Sequence, residues 1–155
     1  MNLFPNIPPL WQTFFVSMLP VLELRGALPL GLALGLPLGQ AYAASVLGNM
    51  LPVPFIILFI RPLLDWLRKQ SRLFARFAQW LEDRADKKGD LVIRYRLLGL
   101  VLLVAVPLPG TGAWTGALVA ALLRLRLTTS IPAIFLGVLL AGVAVALMCL
   151  GVIAL

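Results

Sequence analysis

Four apolar stretches dominate the chain, over residues 10–38, 41–60, 97–123 and 131–155. The second and fourth each run for at least about 20 residues without a marked break, which is long enough to cross a bilayer as an α-helix. Polar and charged residues concentrate between the second and third stretches. The pattern therefore predicts two transmembrane helices, one in each half of the chain.

Proline and glycine interrupt the first and third stretches near their middles, over residues 20–26 and 107–112. Each interruption leaves two arms of about ten residues, or about 15 Å of helix, which is half of the hydrocarbon core. Such breaks are tolerated inside a membrane only where protein or water covers the freed backbone groups. The stretches are therefore either kinked full spans or re-entrant hairpins. The predicted tip residues are Pro20, Gly26, Pro107, Pro109, Gly110 and Gly112.

Basic residues distinguish these two alternatives. Residues 61–96 hold ten basic and five acidic side chains, and Arg124 and Arg126 follow the third stretch. If both broken stretches return to the side on which they began, all of these basic groups lie on one side of the membrane. Because positive residues concentrate on the cytoplasmic side, the charges favour re-entrant hairpins and a cytoplasmic segment 61–96.

The two halves share one predicted plan, a hairpin followed by a crossing helix, and residues 34–38 resemble residues 123–127. An odd number of crossings separates the halves, so the second is expected to be inverted. Apolar side chains at helical spacing over residues 63–88 predict an amphipathic helix on the cytoplasmic membrane surface. The predicted fold class is an all-α integral membrane protein with two inverted repeats in a single domain. Its parts are the first repeat 1–60, the linker 61–96 and the second repeat 97–155.

Composition removes most enzymatic chemistry. Hydrophobic residues make up 61% of the 155 residues and charged residues 12%, with a mean hydropathy of +1.01. A soluble domain carries about twice that share of charge. The chain has no histidine and one cysteine, Cys149, so a disulfide, a metal site and a histidine proton relay are not expected. We therefore predict no enzyme activity, no cofactor and no metal. Nucleic acid is not an expected partner either, because the basic residues are mixed with acidic ones beside membrane spans.

Glu23 and Arg25 are the only ionisable residues expected at the depth of the membrane midplane. Ionisable groups are costly there, so they indicate a transport function first and a structural ion pair at the hairpin tip second. Asn49 lies about 13 Å along the second stretch. We expect it either to bind substrate or to hydrogen-bond a neighbouring helix.

Three further residues surround the second tip. Thr111 and Thr115 are expected either to cap the broken helix or to belong to a turn whose backbone N–H groups meet an anion. Trp114 either lines a cavity or packs between helices. With the three residues above, they form the predicted set that binds substrate and ion.

Three segments carry a family resemblance: residues 22–31 (LELRGALPLG), 48–54 (GNMLPVP) and 107–116 (PLPGTGAWTG). Over nearly the whole chain they resemble the family of small multidrug export proteins, which is similar in plan to the wider DedA superfamily. The resemblance implies an inner-membrane transporter with paired re-entrant hairpins, often homodimeric. Members of the superfamily are linked to ion-coupled movement of polyprenyl phosphate or other lipids. Their second hairpin typically carries arginines, where this chain has Thr111 and Trp114.

The expected function is secondary transport, coupled to protons or another ion, of an amphipathic substrate such as an anionic lipid. In this hypothesis Arg25 binds the anionic head group, and Glu23, which loses that partner, takes up a proton. The alternatives are a small multidrug or cation exporter with Glu23 as the cation site, and a non-catalytic membrane scaffold. Membrane lipids and a second copy of the chain are the expected partners. A second copy is expected because four membrane segments can hardly shield the unpaired backbone groups at two helix breaks from lipid. The expected location is the bacterial or archaeal inner membrane.

Overall fold

The computed structural model describes residues 6–70, 72–73, 75–77, 79–80, 83–84, 97–106 and 111–153. Within these ranges the chain forms helices and no strand, which confirms the all-α prediction. The helices, numbered along the chain, are α1 Pro9–Ser17, α2 Glu23–Ala33, α3 Leu38–Met50, α4 Pro52–Gln70, α5 Leu97–Ala105, α6 Ala113–Leu122 and α7 Leu127–Ile153.

Two helical stretches are long and apolar enough to cross a membrane, Leu38–Trp66 and Leu127–Gly151. They correspond to the crossings predicted at 41–60 and 131–155, and each begins earlier than predicted. The first starts at Leu38 because Pro37 before it is extended, with ψ 146°. Less than half of the most apolar 18-residue window in each stretch is buried within the chain (39% and 44%), so apolar side chains of both face outward. These features are compatible with a membrane location.

Each interrupted stretch forms a pair of short helices that pack against each other, α1 with α2 and α5 with α6. A connection over residues 18–22 separates the first pair and contains Pro20. Gly26, predicted at this tip, lies inside α2, because the helix already begins at Glu23. Gly112 belongs to the second connection. The other predicted residues of that tip, Pro107, Pro109 and Gly110, lie outside the described residues.

The amphipathic helix predicted over residues 63–88 does not start as a separate element. α4 continues through Pro62 to Gln70, because a proline inside a helix can remove one hydrogen bond without ending the helix. The described residues between 72 and 84 are also helical, and their apolar side chains are largely exposed. An exposed apolar face of this kind suits a membrane surface. The exposed apolar residues are Leu73, Phe77 and Trp80.

The turns that follow α2 and α6 have matching backbone hydrogen bonds. In the first, the N–H of Leu36 donates across Gly35 to the last turn of α2 (3.0 Å), and Gly35 has a φ of +86°. In the second, the N–H of Leu125 donates across Arg124 to the last turn of α6 (2.9 Å), and Arg124 has a φ of +56°. Both are Schellman-type helix ends. The two turns lie at equivalent positions of the similar segments 34–38 and 123–127.

Packing between the two halves is reciprocal. α2 lies against α7 and α6 lies against α4, so each half places its second short helix on a long helix of the other half. α3 and α7 also contact each other, and the Tyr42 hydroxyl donates to the carbonyl oxygen of Leu139 at 2.8 Å. Reciprocal contacts between like elements are what a two-fold axis produces. The buried core includes Leu24, Leu28, Val104, Ile134 and Val138.

α1 and α3 approach each other closely at Gly48. A Cβ atom placed on this glycine would lie 2.2 Å from the carbonyl oxygen of Phe14, which belongs to the backbone of α1. Gly39 lies on the same helix with open space where its Cβ would be. The absence of a side chain at Gly48 therefore permits this helix pair to pack.

We expect Gly48→Ala to lower the free energy of unfolding by at least about 2 kcal/mol, because backbone atoms cannot move aside as a flexible side chain can. Gly39→Ala is the matched control. It should be neutral or slightly stabilising, since alanine favours a helix over glycine by up to about 1 kcal/mol. Thermal unfolding of the purified variants in detergent measures both effects. Equal melting temperatures would contradict the close contact between α1 and α3.

Candidate functional site

The N-terminal ends of α2 and α6 meet at a small polar cavity between the two halves. The cavity has a volume of ≈ 10 Å³, about the room that one water molecule needs. Glu23, Arg25 and Asn49 line it from the first half, and Gly112 and Ala113 line it from the second. The site therefore depends on both halves of the chain.

Glu23 is the first residue of α2, and its carboxylate is buried against the other half. The residue is only 6% exposed, and Oε1 accepts a hydrogen bond from the backbone N–H of Trp114 at 3.3 Å. Trp114 lies in the first turn of α6, where unpaired N–H groups and the helix dipole favour an anion. The carboxylate therefore caps a helix that belongs to the opposite half.

The carboxylate of Glu23 occupies the space that a side chain at position 112 would fill. A Cβ atom on Gly112 would lie 1.9 Å from Oε2 of Glu23. Gly112 also has a backbone conformation, φ 141° and ψ −167°, that almost no residue other than glycine adopts. Glu23 itself has a left-handed backbone, with φ 48°. Unusual backbone conformations in both halves thus bring the carboxylate onto α6.

Arg25 joins the two broken stretches. Its Nη2 donates to the carbonyl oxygen of Val106 and to Oγ1 of Thr111, both at 3.0 Å. The hydroxyl of Thr111 in turn donates to the same carbonyl at 2.9 Å. The guanidinium also interacts electrostatically with Glu23 and lines the same cavity. Arg25 therefore holds together residues on both sides of the second connection and places a positive charge at the cavity.

Thr111 does not cap α6, which was one of its two predicted roles. The residue directly before the helix is Gly112, which has no side chain to bond the helix end, so the hydroxyl of Thr111 lies one position too early. Glu23 supplies the cap instead. Thr115 is already inside the first turn of α6, where it is half-buried.

Asn49 is buried on α3, with 3% of its surface exposed. Its Oδ1 has no hydrogen-bond partner among the described residues. A buried amide oxygen without a partner is costly, and Asn49 lines the cavity, where a water molecule or an ion can satisfy it. Among the described residues this oxygen makes no interhelical hydrogen bond, and the binding role of Asn49 stays a prediction.

Trp114 ties the second connection to the first. Its indole Nε1 donates to the carbonyl oxygen of Met18 at 3.0 Å, while its backbone N–H donates to Glu23. Trp114 is not part of the cavity wall. Its hydrogen bonds to Met18 and Glu23 agree with the packing role that was one of its two predicted roles.

Several contacts of the site are missing from the sequence-based prediction. The carbonyl oxygens of Met18 and Val106 accept hydrogen bonds from Trp114 and Arg25, and backbone carbonyls carry no signature in a sequence. Arg61, predicted only as part of the basic segment, donates from Nε and Nη2 to two carbonyls at the C-terminal end of α6. A cation is favourable at that end of a helix. The described residues contain no cluster of His, Cys, Asp and Glu that could hold a metal ion.

A family model for small multi-drug export proteins matches residues 23–144, which is most of the chain. The match begins at Glu23, the buried carboxylate of the cavity, and includes α2 to α6 and the larger part of α7. No curated protein and no solved structure matches the chain.

Proposed function

Because the chain belongs to the small multi-drug export protein family, we propose that it is a small secondary transporter of the bacterial or archaeal inner membrane. Its substrates are amphipathic, and Glu23, Arg25 and Asn49 form the transport centre. The observation that carries this proposal is the buried carboxylate of Glu23. It lies on the first turn of a helix from the other half, in a cavity that it shares with the unpartnered amide oxygen of Asn49. Broken helices that meet between repeats are a common plan of secondary transporters.

We propose further that the halves are inverted repeats, each with a re-entrant hairpin. Kinked full spans would put Arg61 and Arg124 on opposite sides of the membrane. Instead, Arg61 hydrogen-bonds the end of α6, two and three residues before Arg124, and this contact supports the double-hairpin topology. The matching turns and the reciprocal helix packing support a two-fold axis in the membrane plane.

The topology predicts opposite accessibility for two exposed positions, Gln40 and Arg126. In a Cys149→Ser background, Gln40→Cys should react with a membrane-impermeant thiol reagent added to intact cells. Arg126→Cys lies in the turn after α6 and should react only after the cells are permeabilised, since the proposed topology assigns it to the cytoplasmic side with residues 61–96. Labelling of position 126 from outside intact cells would rule out the double-hairpin topology.

Glu23 is the proposed coupling group. Desolvation disfavours its ionised form, whereas Arg25 and the N–H of Trp114 favour that form, so its protonation depends on what these neighbours bind. An anion that binds Arg25 removes one favourable partner, and proton uptake by Glu23 follows. The cavity has room for about one water molecule beside the carboxylate. A larger substrate requires the two halves to move apart, as alternating access does.

The site favours a substrate with an anionic head group, such as a lipid phosphate. Once Glu23 is protonated, Arg25 and the N-terminal ends of α2 and α6 leave a positive potential at the cavity. A second candidate is a cationic drug-like compound. The family description names multi-drug export, and for a cation the ionised carboxylate of Glu23 is a suitable counter-ion.

Reconstitution into liposomes with an imposed proton gradient tests the function. One set of liposomes receives a fluorescent lipid phosphate and a second receives a cationic dye, with protein-free liposomes as the control. We expect the gradient to drive movement of the lipid phosphate, and faster movement of the dye would select the cation exporter. Movement of neither compound above the control would contradict transport and favour the scaffold alternative.

The homodimer stays a prediction from the sequence. Aromatic side chains on the outer surface of α1 leave an apolar area that a second copy or lipid would cover. Trp11 and Phe15 stack there and are each about half exposed.

A further inference from the structure

A second groove lies between α4 and the turn that follows α6. Its volume is ≈ 340 Å³, and its wall includes Ile57, Leu58, Arg61, Arg124 and Leu125. No residue of this groove lines the polar cavity that contains Glu23. The groove thus combines an apolar wall with two arginines and is separate from the transport centre.

Arg61 is fixed at one side of the groove. Its Nε and Nη2 donate to the carbonyl oxygens of Ala121 and Leu122 at the end of α6. A guanidinium has five N–H donors in a rigid plane, and these two bonds use only two of them. Arg61 therefore presents an oriented positive group with further donor capacity.

Arg124 takes a backbone conformation for which the other half of the molecule uses glycine. Its φ is +56°, and Gly35 occupies the matching position of the turn after α2 with a φ of +86°. This left-handed region strains a residue that has a Cβ atom, and strain of this kind is a reason to look for a function. Here the strained residue adds an exposed arginine to the wall of the groove.

We propose that this groove binds an anionic phospholipid, with the head-group phosphate on Arg61 and Arg124 and an acyl chain along Ile57, Leu58 and Leu125. Guanidinium groups bind phosphate through charge-assisted, often bidentate hydrogen bonds, and basic pockets between membrane helices bind anionic head groups. The apolar wall accounts for a lipid in preference to free phosphate. The site rests on the membrane location proposed above, but it does not depend on transport.

Lipid-dependent thermal stability tests the site without any transport assay. Purified protein in a neutral detergent is titrated with phosphatidylglycerol, with phosphatidylcholine or with inorganic phosphate. We expect only phosphatidylglycerol to raise the melting temperature. Arg124→Gly should raise the concentration for the half-maximal shift by about tenfold, because charge-assisted hydrogen bonds to the phosphate are lost. Its lipid-free melting temperature should equal or exceed that of the wild type, since glycine relaxes the turn.

Two further variants keep the test decisive. Arg124→Asn removes the charge with a residue that tolerates the left-handed backbone, so it should weaken lipid binding as Arg124→Gly does. Arg126→Gln removes a nearby exposed charge that is not part of the groove and should retain the full shift. An equal shift with phosphatidylcholine or with inorganic phosphate would overturn the proposal. Equal weakening by Arg126→Gln and Arg124→Gly would also overturn it, because it would indicate only general surface attraction.

Discussion

In the liposome assay, Glu23→Gln is expected to abolish proton-driven movement of the lipid phosphate while binding of that lipid persists. Glutamine has nearly the same shape, and its amide oxygen can still accept the N–H of Trp114, so the cap on α6 remains. The side chain can no longer exchange a proton, and the proposed coupling depends on that exchange. Movement should fall to the level of protein-free liposomes at every gradient tested.

Arg25→Ala provides the complementary measurement. If the substrate is anionic, this variant should lose binding, and the affinity should fall by at least about tenfold because a charge-assisted contact disappears. If the substrate is cationic, Glu23→Gln should lose binding and Arg25→Ala should not. Asp65→Asn changes an exposed acid on α4 and is the control that should transport normally. Normal transport by both site variants would show that Glu23 and Arg25 are structural.

Gly112→Ala is expected to have the largest effect on stability of any single methyl addition at the site. The new Cβ atom would lie 1.9 Å from Oε2 of Glu23, and the backbone at φ 141° is itself nearly restricted to glycine. Strained backbone and overpacking each cost about 1–3 kcal/mol, so the free energy of unfolding should fall by about 2–6 kcal/mol. Thermal unfolding in detergent measures the loss, and transport should be lost with it because the carboxylate cannot keep its position on α6.

Two comparisons separate the causes of this effect. Gly35→Ala also adds a Cβ atom at a positive φ, but nothing lies within 4 Å of that atom, so the loss should be only about 1 kcal/mol. Adding Glu23→Ala to Gly112→Ala removes the group that collides with the new methyl. The double variant should therefore be more stable than the sum of the two single losses predicts. Strict additivity would mean that the contact between Glu23 and Gly112 is not what excludes a side chain at position 112.

The sequence by itself determined the long apolar helices, the approximate positions of the breaks and which charged residues lie between the helices, although it did not give the exact helix ends. These features follow from local chemistry: a long apolar run satisfies its backbone as a helix, and Pro20 interrupts such a run. The similarity between residues 34–38 and 123–127 likewise indicated two related halves. Both segments form matching turns in the structure, because a turn is formed by neighbours in the chain. Glu23 and Arg25 stood out for the same local reason, as isolated charges in apolar surroundings.

Only the tertiary structure decided what these residues contact. Glu23 caps α6 because folding brings the strained start of α2 onto Gly112. Nothing in the sequence shows that Glu23 and Gly112 are in contact. Arg61 lies in a basic segment by sequence, yet it binds backbone carbonyls of α6 because α4 packs beside that helix. The sequence alone could not exclude Thr111 as the cap of α6, because that conclusion requires the exact residue at which the helix begins. Each contact joins groups far apart in the chain, and several involve backbone atoms that are the same in every residue, so packing alone decides them.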